Sequence, residues 1–213
     1  MIKFHTMPLG ALQANCYIAE ADGGQCLIFD PGGEPDRLIA QLQSMNLEPV
    51  AVYLTHAHFD HIGGVDGVRR AYGVPVHLHQ EEEDWLGDPM LNGSGRWPDL
   101  GTIGIAGPEK IISGEEERTE GPFRFRILHV PGHSPGSVAF HFPDEGVAVG
   151  GDALFKGSIG RTDLPGGDHE TLLRSIHDKL LTLPGDTVIL PGHGGPTVIE
   201  DEAMSNPFLN GFG

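Results

Sequence analysis

Between positions 56 and 61 the chain reads His56-Ala57-His58-Phe59-Asp60-His61, four metal-binding side chains within six residues. In an extended segment residues two apart point the same way, so His56 and His58 can present both imidazoles to one cation. The turn that follows sends Asp60 and His61 elsewhere, so one string can serve two adjacent ions. The apolar run PVAVYL before it reads as a strand, and IGGVDGVRRAYG after it as a helix despite its glycines. The histidine string is therefore expected at a strand-to-helix corner.

Three further candidates follow predicted strands: His133 in VPGHSPGS, Asp152 in VAVGGDALF and His193 in VILPGHGG. Binding sites gather at strand ends, where small Gly and Pro neighbours let side chains converge and substrates approach the backbone. Neutral imidazoles and carboxylates suit zinc, iron or manganese, and Asp152 has two oxygens with which to bridge a pair. The remaining histidines lack this setting. His77 and His79 form a second H-x-H without an adjacent Asp-His, and a structural role is expected for both. His5, His129, His141, His169 and His177 have no metal-ligand spacing, the last two falling on a solvated helix.

Composition limits the partners. Thirty acidic against 13 basic residues give a net charge of −17, which repels phosphate backbones and anionic membrane surfaces, so neither nucleic acid nor membrane is an expected partner. Pro8, Gly10, Gln13 and Asn15 interrupt any signal-peptide core, and no apolar stretch reaches spanning length, so a cytoplasmic location is the expectation. At 213 residues with 38% hydrophobic content, one domain spanning 1–213 is expected. Cys16 and Cys26 flank a turn at Asp22-Gly23-Gly24 but do not oppose each other in either plausible register, and both are expected as buried thiols.

Strands are expected at 2–6, 14–20 and 25–30, then a helix opened by Pro35 with Leu38, Ile39 and Leu42 as its apolar stripe. PVHLH reads as a strand and EEEDWL as an acidic helical turn. Residues 87–109 show no clear period and read as an active-site loop. FRFRILHV, SVAFHF, GVAVGG and DTVILPGH are strands, and HETLLRSIHDKLLTL is an amphipathic helix. The pattern is mixed α and β, with the topology left open.

The order H-x-H-x-D-H, GH, GD and PGH resembles the metallo-β-lactamase superfamily, from NCYI and LIFDPGG near the start to PGHGG near the end. That resemblance implies an α/β fold, the four-layer αβ/βα sandwich, with a binuclear site and a supporting role for Asp30 beneath it. GDALFKGSIGRTDLPGGD and NPFL are similar to short glyoxalase II-like hydrolases. This implies that His56, His58 and His133 bind one metal, that Asp60, His61 and His193 bind a second, and that Asp152 bridges them. Arg161 falls where such enzymes place a basic residue for a substrate carboxylate; a salt bridge with Asp163 is its structural alternative. Two features depart from glyoxalase II: Gly195 stands where a tyrosine is usual, and no C-terminal glutathione-binding helical domain is expected.

The implied activity is hydrolysis of a small-molecule acyl thioester such as S-D-lactoylglutathione, through two divalent ions, zinc first, with iron or manganese as alternatives. Asp60 and Asp152 are the catalytic carboxylates, and no serine or cysteine nucleophile is needed. The rival enzyme is a mononuclear-iron persulfide dioxygenase using His56, His133 and Asp152, since that class shares the string and a GRTD segment. A metal-stabilised binding module is the non-enzymatic alternative, and seven ligands for two ions leave positions open that a closed structural site would not need. The oligomeric state is left open.

Overall fold

The structure, a computed structural model, describes residues 1–210. The chain divides into two compact units, Met1–Ser113 and Gly114–Gly213. In the first, strands β1 (Lys3–Leu9), β2 (Ala14–Glu20), β3 (Gln25–Phe29), β4 (Glu48–Tyr53), β5 (Val76–His79) and β6 (Lys110–Ile112) form one sheet in sequence order. β1, β2 and β3 pair antiparallel, while β3 to β6 run parallel. The hairpin turn lies where Asp22-Gly23-Gly24 put it, with both glycines at positive φ.

The parallel half needs crossovers, and helices supply them. Helix α1 (Pro35–Ser44) starts with proline at its first position and buries Leu38 and Leu42, one turn apart. Full burial of each leucine contributes roughly 1.5–3 kcal/mol. The short α2 (Phe59–Ile62) and α3 (Val65–Tyr72) follow β4, and Val65 and Val68 join Leu38, Leu42, Ile18, Ile28 and Val52 in one apolar cluster. Cys16 and Cys26 are buried free thiols; burial pushes Cys16 well up and Cys26 up to about 12.

In the second unit, β7 (Glu116–Glu120), β8 (Phe123–His129), β9 (Val138–Phe142), β10 (Val147–Gly151), β13 (Val188–Pro191) and β14 (Thr197–Val198) form a sheet in the order β14-β13-β10-β9-β8-β7. Between β10 and β13 lie a hairpin of β11 (Leu154–Phe155) and β12 (Ser158–Ile159), then helix α4 (His169–Ser175). Asp168 caps α4 by accepting from Thr171 N at 2.7 Å, a bond to the ionised carboxylate that lowers its pKa. The predicted longer helix is divided: α4 ends at Ser175, and Ile176–Leu180 follows directly as a π-helix. Leu172, Ile176 and Leu180 pack on Ala139, Ala148 and Ile189. Helix α5 (Ile199–Ser205) follows β14 and was not apparent from the sequence.

The strands β6, β7, β11, β12 and β14 were likewise unpredicted, and β1 runs three residues past its expected end. No helix is long and apolar enough to cross a membrane among the described residues. His169 and His177 are exposed, as expected. His77 stacks on Tyr53 with ring centroids 4.1 Å apart, and His79 accepts from Glu81 N at 3.4 Å, so the second H-x-H has structural uses.

His141 differs from the other histidines. It is 3% exposed on β9, and neither ring nitrogen has a hydrogen-bond partner among the described residues. Burial first, then the Arg126 charge across the strand pair, lower its pKa from 6.5. The unfolded chain therefore binds this proton at a higher pH than the native state does, so stability is lost as pH falls from about 7 towards 5. His141→Met should flatten that part of the stability curve in urea titrations across this range. An unchanged pH slope would show that His141 is not its source.

Candidate metal centre

The sequence-predicted ligands lie in the segments that follow strands β4, β8, β10 and β13, and the two units carry separate clusters. In the first, His56 and His58 occupy the extended segment after β4, and Asp60 and His61 the first turn of α2. The corner between strand and helix is the one the residue spacing demanded. His56 and His61 are fully buried and His58 is 4% exposed. Their rings cluster: His56 lies edge-on to His58 with centroids 4.8 Å apart, and 4.2 Å from His61.

Beneath them is Asp30. Its Oδ1 accepts from Thr55 N at 2.7 Å, and its Oδ2 accepts from the Thr55 hydroxyl at 2.6 Å and from His61 Nδ1 at 3.0 Å. Because the Thr55 hydroxyl donates to Asp30, its oxygen is the acceptor for His56 Nδ1, 2.9 Å away. Both imidazoles are thereby set in the Nδ1–H tautomer, with Nε2 as the basic nitrogen. Asp30 holds this position with φ 49, a left-handed conformation uncommon for a residue with a side chain. Two residues on, Gly32 packs so closely that a Cβ there would lie 1.8 Å from Asp60 O. DPGG is thus a floor on which the histidine string rests.

The second unit repeats this logic. His133 is 2% exposed in the loop between β8 and β9, and its Nδ1–H donates to the Arg161 carbonyl at 2.8 Å. Asp152 follows β10 directly and His193 follows β13. One carboxylate oxygen, Asp152 Oδ2, lies 3.6 Å from His133 Nε2 and 3.7 Å from His193 Nε2. Those spacings exceed an N–H···O hydrogen bond. Two donors about 2.1 Å from one cation at a tetrahedral angle lie roughly 3.4 Å apart, so the spacing suits shared ligation. His61 Nε2 and Asp60 Oδ2 show the same spacing, 3.7 Å. Asp30, His56 and His61 also form a group whose donor atoms lie within 4.8 Å of one another.

Both clusters open to solvent at one end. The side chains of Asp60 and Asp152 are 12% and 11% exposed and that of His193 33%, while Phe155 packs edge-on to the His193 ring at 6.5 Å. Gly160 tightens the floor on this side, since a Cβ there would lie 1.8 Å from Asp152 O. The hairpin that carries it is held from α5: Glu202 accepts from Gly157 N at 2.9 Å, and Asn206 of the NPFL motif donates to Ser158 O at 3.0 Å.

Arg161 has two separable parts. Its carbonyl orients His133, whereas its guanidinium is forked onto Asp163 by bonds of 2.7 and 2.8 Å and is half exposed. That fork holds the Asp163 carboxyl down to about 2. The 87–109 loop is tied to the string: Phe59 N donates to Asn92 O at 3.0 Å, and the Phe59 and Trp97 rings lie 5.6 Å apart. Buried Asn92 donates to the Trp85 and Ile103 carbonyls, and its Oδ1 accepts from Ser94 N and Oγ. Thr55, Asn92, Glu202 and Asn206 were not singled out for these roles by the sequence, since short polar residues in loops look alike until their partners are known.

Comparisons with known proteins agree with this architecture. The family model described as the metallo-beta-lactamase superfamily matches residues 9–193. A probable metallo-hydrolase of Bacillus subtilis, YqgX, is 50% identical over 99% of both chains. Hydroxyacylglutathione hydrolase GloC of Haemophilus influenzae is 40% identical, covering 98% of this chain and 99% of the relative. Among solved structures, the BLEG-1 B3 metallo-beta-lactamase shares 48% identity and a TM-score of 0.95, covering 98% of this chain and 100% of that one. TTHA1623 in a di-iron-bound form shares 40% identity and a TM-score of 0.83, over 96% and 100%.

Removing Asp30 should expose the cost of the floor. Asp30→Ala leaves Thr55 N, the Thr55 hydroxyl and His61 Nδ1 without their buried acceptor, an expected loss of about 3 kcal/mol. Urea unfolding of the metal-free protein measures it, and a loss below about 1 kcal/mol would contradict the role assigned to Asp30.

Proposed function

The chain belongs to the metallo-beta-lactamase superfamily, whose mixed α/β fold it carries, and from that premise we propose a binuclear metal-dependent thioester hydrolase of glyoxalase II type. The observation that carries the reading is the orientation of the imidazoles. His56, His61 and His133 each give Nδ1–H to a hydroxyl, carboxylate or carbonyl oxygen, an outer-shell arrangement that raises the basicity of Nε2 for a cation. His56, His58 and His133 would hold one ion, Asp60, His61 and His193 the other, and Asp152 both.

Such a cation pair supplies Lewis acidity and brings the pKa of water towards neutrality. The chain's own residues do the rest. Asp60, partly open to solvent, accepts a hydrogen bond from the attacking water and aligns it with the carbonyl carbon. Asp152 faces His133 and His193 with a single oxygen and would be the carboxylate shared by the two ions. The Phe59–Trp97 ring pair would keep bulk water from one side of the string. A substrate carboxylate would compete with Asp163 for the Arg161 fork.

The substrate class is drawn from GloC and from the GDALFKGSIGRTDLPGGD segment. Zinc is our first choice of metal, and the di-iron form of TTHA1623 keeps iron in view. A small-molecule thioester is the proposed partner. The test is a panel with S-D-lactoylglutathione, a β-lactam, and glutathione persulfide under oxygen. We expect thioester hydrolysis that is abolished by a chelator and restored by zinc, and that falls by about a hundredfold or more in Asp152→Ala with its circular dichroism unchanged. Oxygen uptake with one iron per chain would replace this reading with a persulfide dioxygenase, preferred β-lactam turnover would replace the substrate class, and turnover that survives chelation would refute metal catalysis.

A further inference from the structure

Four consecutive acidic residues, Glu81, Glu82, Glu83 and Asp84, follow β5. They look like a solvated surface run, and three of them are exposed, but Glu82 is fully buried. The cause is local geometry. Gln80–Trp85 winds as a 3-10 helix, in which residues three apart eclipse each other, so Glu82 and Trp85 turn inward together.

Both reach the histidine string. Glu82 Oε2 accepts from Ala57 N at 2.5 Å, the backbone amide between His56 and His58. The Trp85 ring lies 5.7 Å from that of His58. One short turn thus holds the H-x-H segment by its backbone and by a ring face. Burying a carboxylate costs several kcal/mol unless positive charge or strong donors compensate it. His56 and His58 bring no charge to a dication, so an ionised Glu82 carboxylate behind them would favour the cation-bound state over the empty one.

We propose that Glu82 is a positioning residue that sets the affinity of the cation held by His56 and His58. The proposal rests on the metal-site reading given above. A purely structural Glu82 would matter equally with and without metal; a positioning Glu82 matters most when metal is bound.

Glu82→Gln separates the two, because it keeps the shape and an amide oxygen for Ala57 N while removing the charge. Glu83→Gln, on the exposed face of the same turn, is the control. Zinc affinity of each metal-free protein is measured by competition with a chromophoric chelator, alongside thermal melting without metal. We expect one of two zinc ions to bind about 10- to 100-fold more weakly in Glu82→Gln, with its metal-free melting temperature not below wild type and with Glu83→Gln unchanged. Wild-type affinity in Glu82→Gln, or weakening matched by a lower metal-free melting temperature, would overturn the proposal while leaving the metal site standing. A wild-type protein that takes up no zinc would overturn both.

Discussion

A metal-binding histidine is useful only if the correct nitrogen faces the ion, and this molecule fixes that choice by hydrogen bonds on the far side of the ring. Asp30 accepts from His61 directly and sets His56 through the Thr55 hydroxyl. The Arg161 carbonyl does the same for His133. The left-handed backbone at Asp30 and the glycines at 32 and 160, where no Cβ fits, follow from the need to bring these acceptors beneath the rings. Each acceptor lies within the same compact unit as the imidazole it orients, so each half of the donor set is prepared locally.

The candidate donors stand out in the sequence because the chemistry of metal binding restricts residue type. Few reasons place His, His, Asp and His within six residues, and strand-end glycines flag Asp152 and His193. The main strands and helices were legible for a similar reason, since Leu38 with Leu42, or the alternation in FRFRILHV, expresses the burial pattern directly. Short elements were not. Two-residue strands such as β11 and β12 have no period to detect, the edge strand β6 has only three residues, and the edge strand β7 is polar throughout.

Supporting residues were harder still. Nothing in Glu81-Glu82-Glu83-Asp84 distinguishes the buried member, because only the tighter winding of a 3-10 turn selects it. Arg161 shows the opposite difficulty. Its position suggested a side-chain role, yet its backbone carbonyl has the firmer connection to the site, and its guanidinium is engaged by Asp163. The apparently aperiodic 87–109 loop is organised by Asn92 and Ser94, whose hydrogen bonds replace the regular ladder that its glycines and prolines preclude.

We propose that the string at 56–61 and the trio His133, Asp152 and His193 serve one pair of cations, with the Nε2 atoms of His56, His61 and His133 prearranged for it. The most direct test is a crystal structure of the zinc-loaded protein with anomalous differences recorded at the zinc edge. The account predicts two peaks per chain, one touching Nε2 of His56, His58 and His133, the other touching Nε2 of His61 and His193, and Asp152 in contact with both. A single peak, ligation through Nδ1, or ions that engage only one of the two clusters would contradict it.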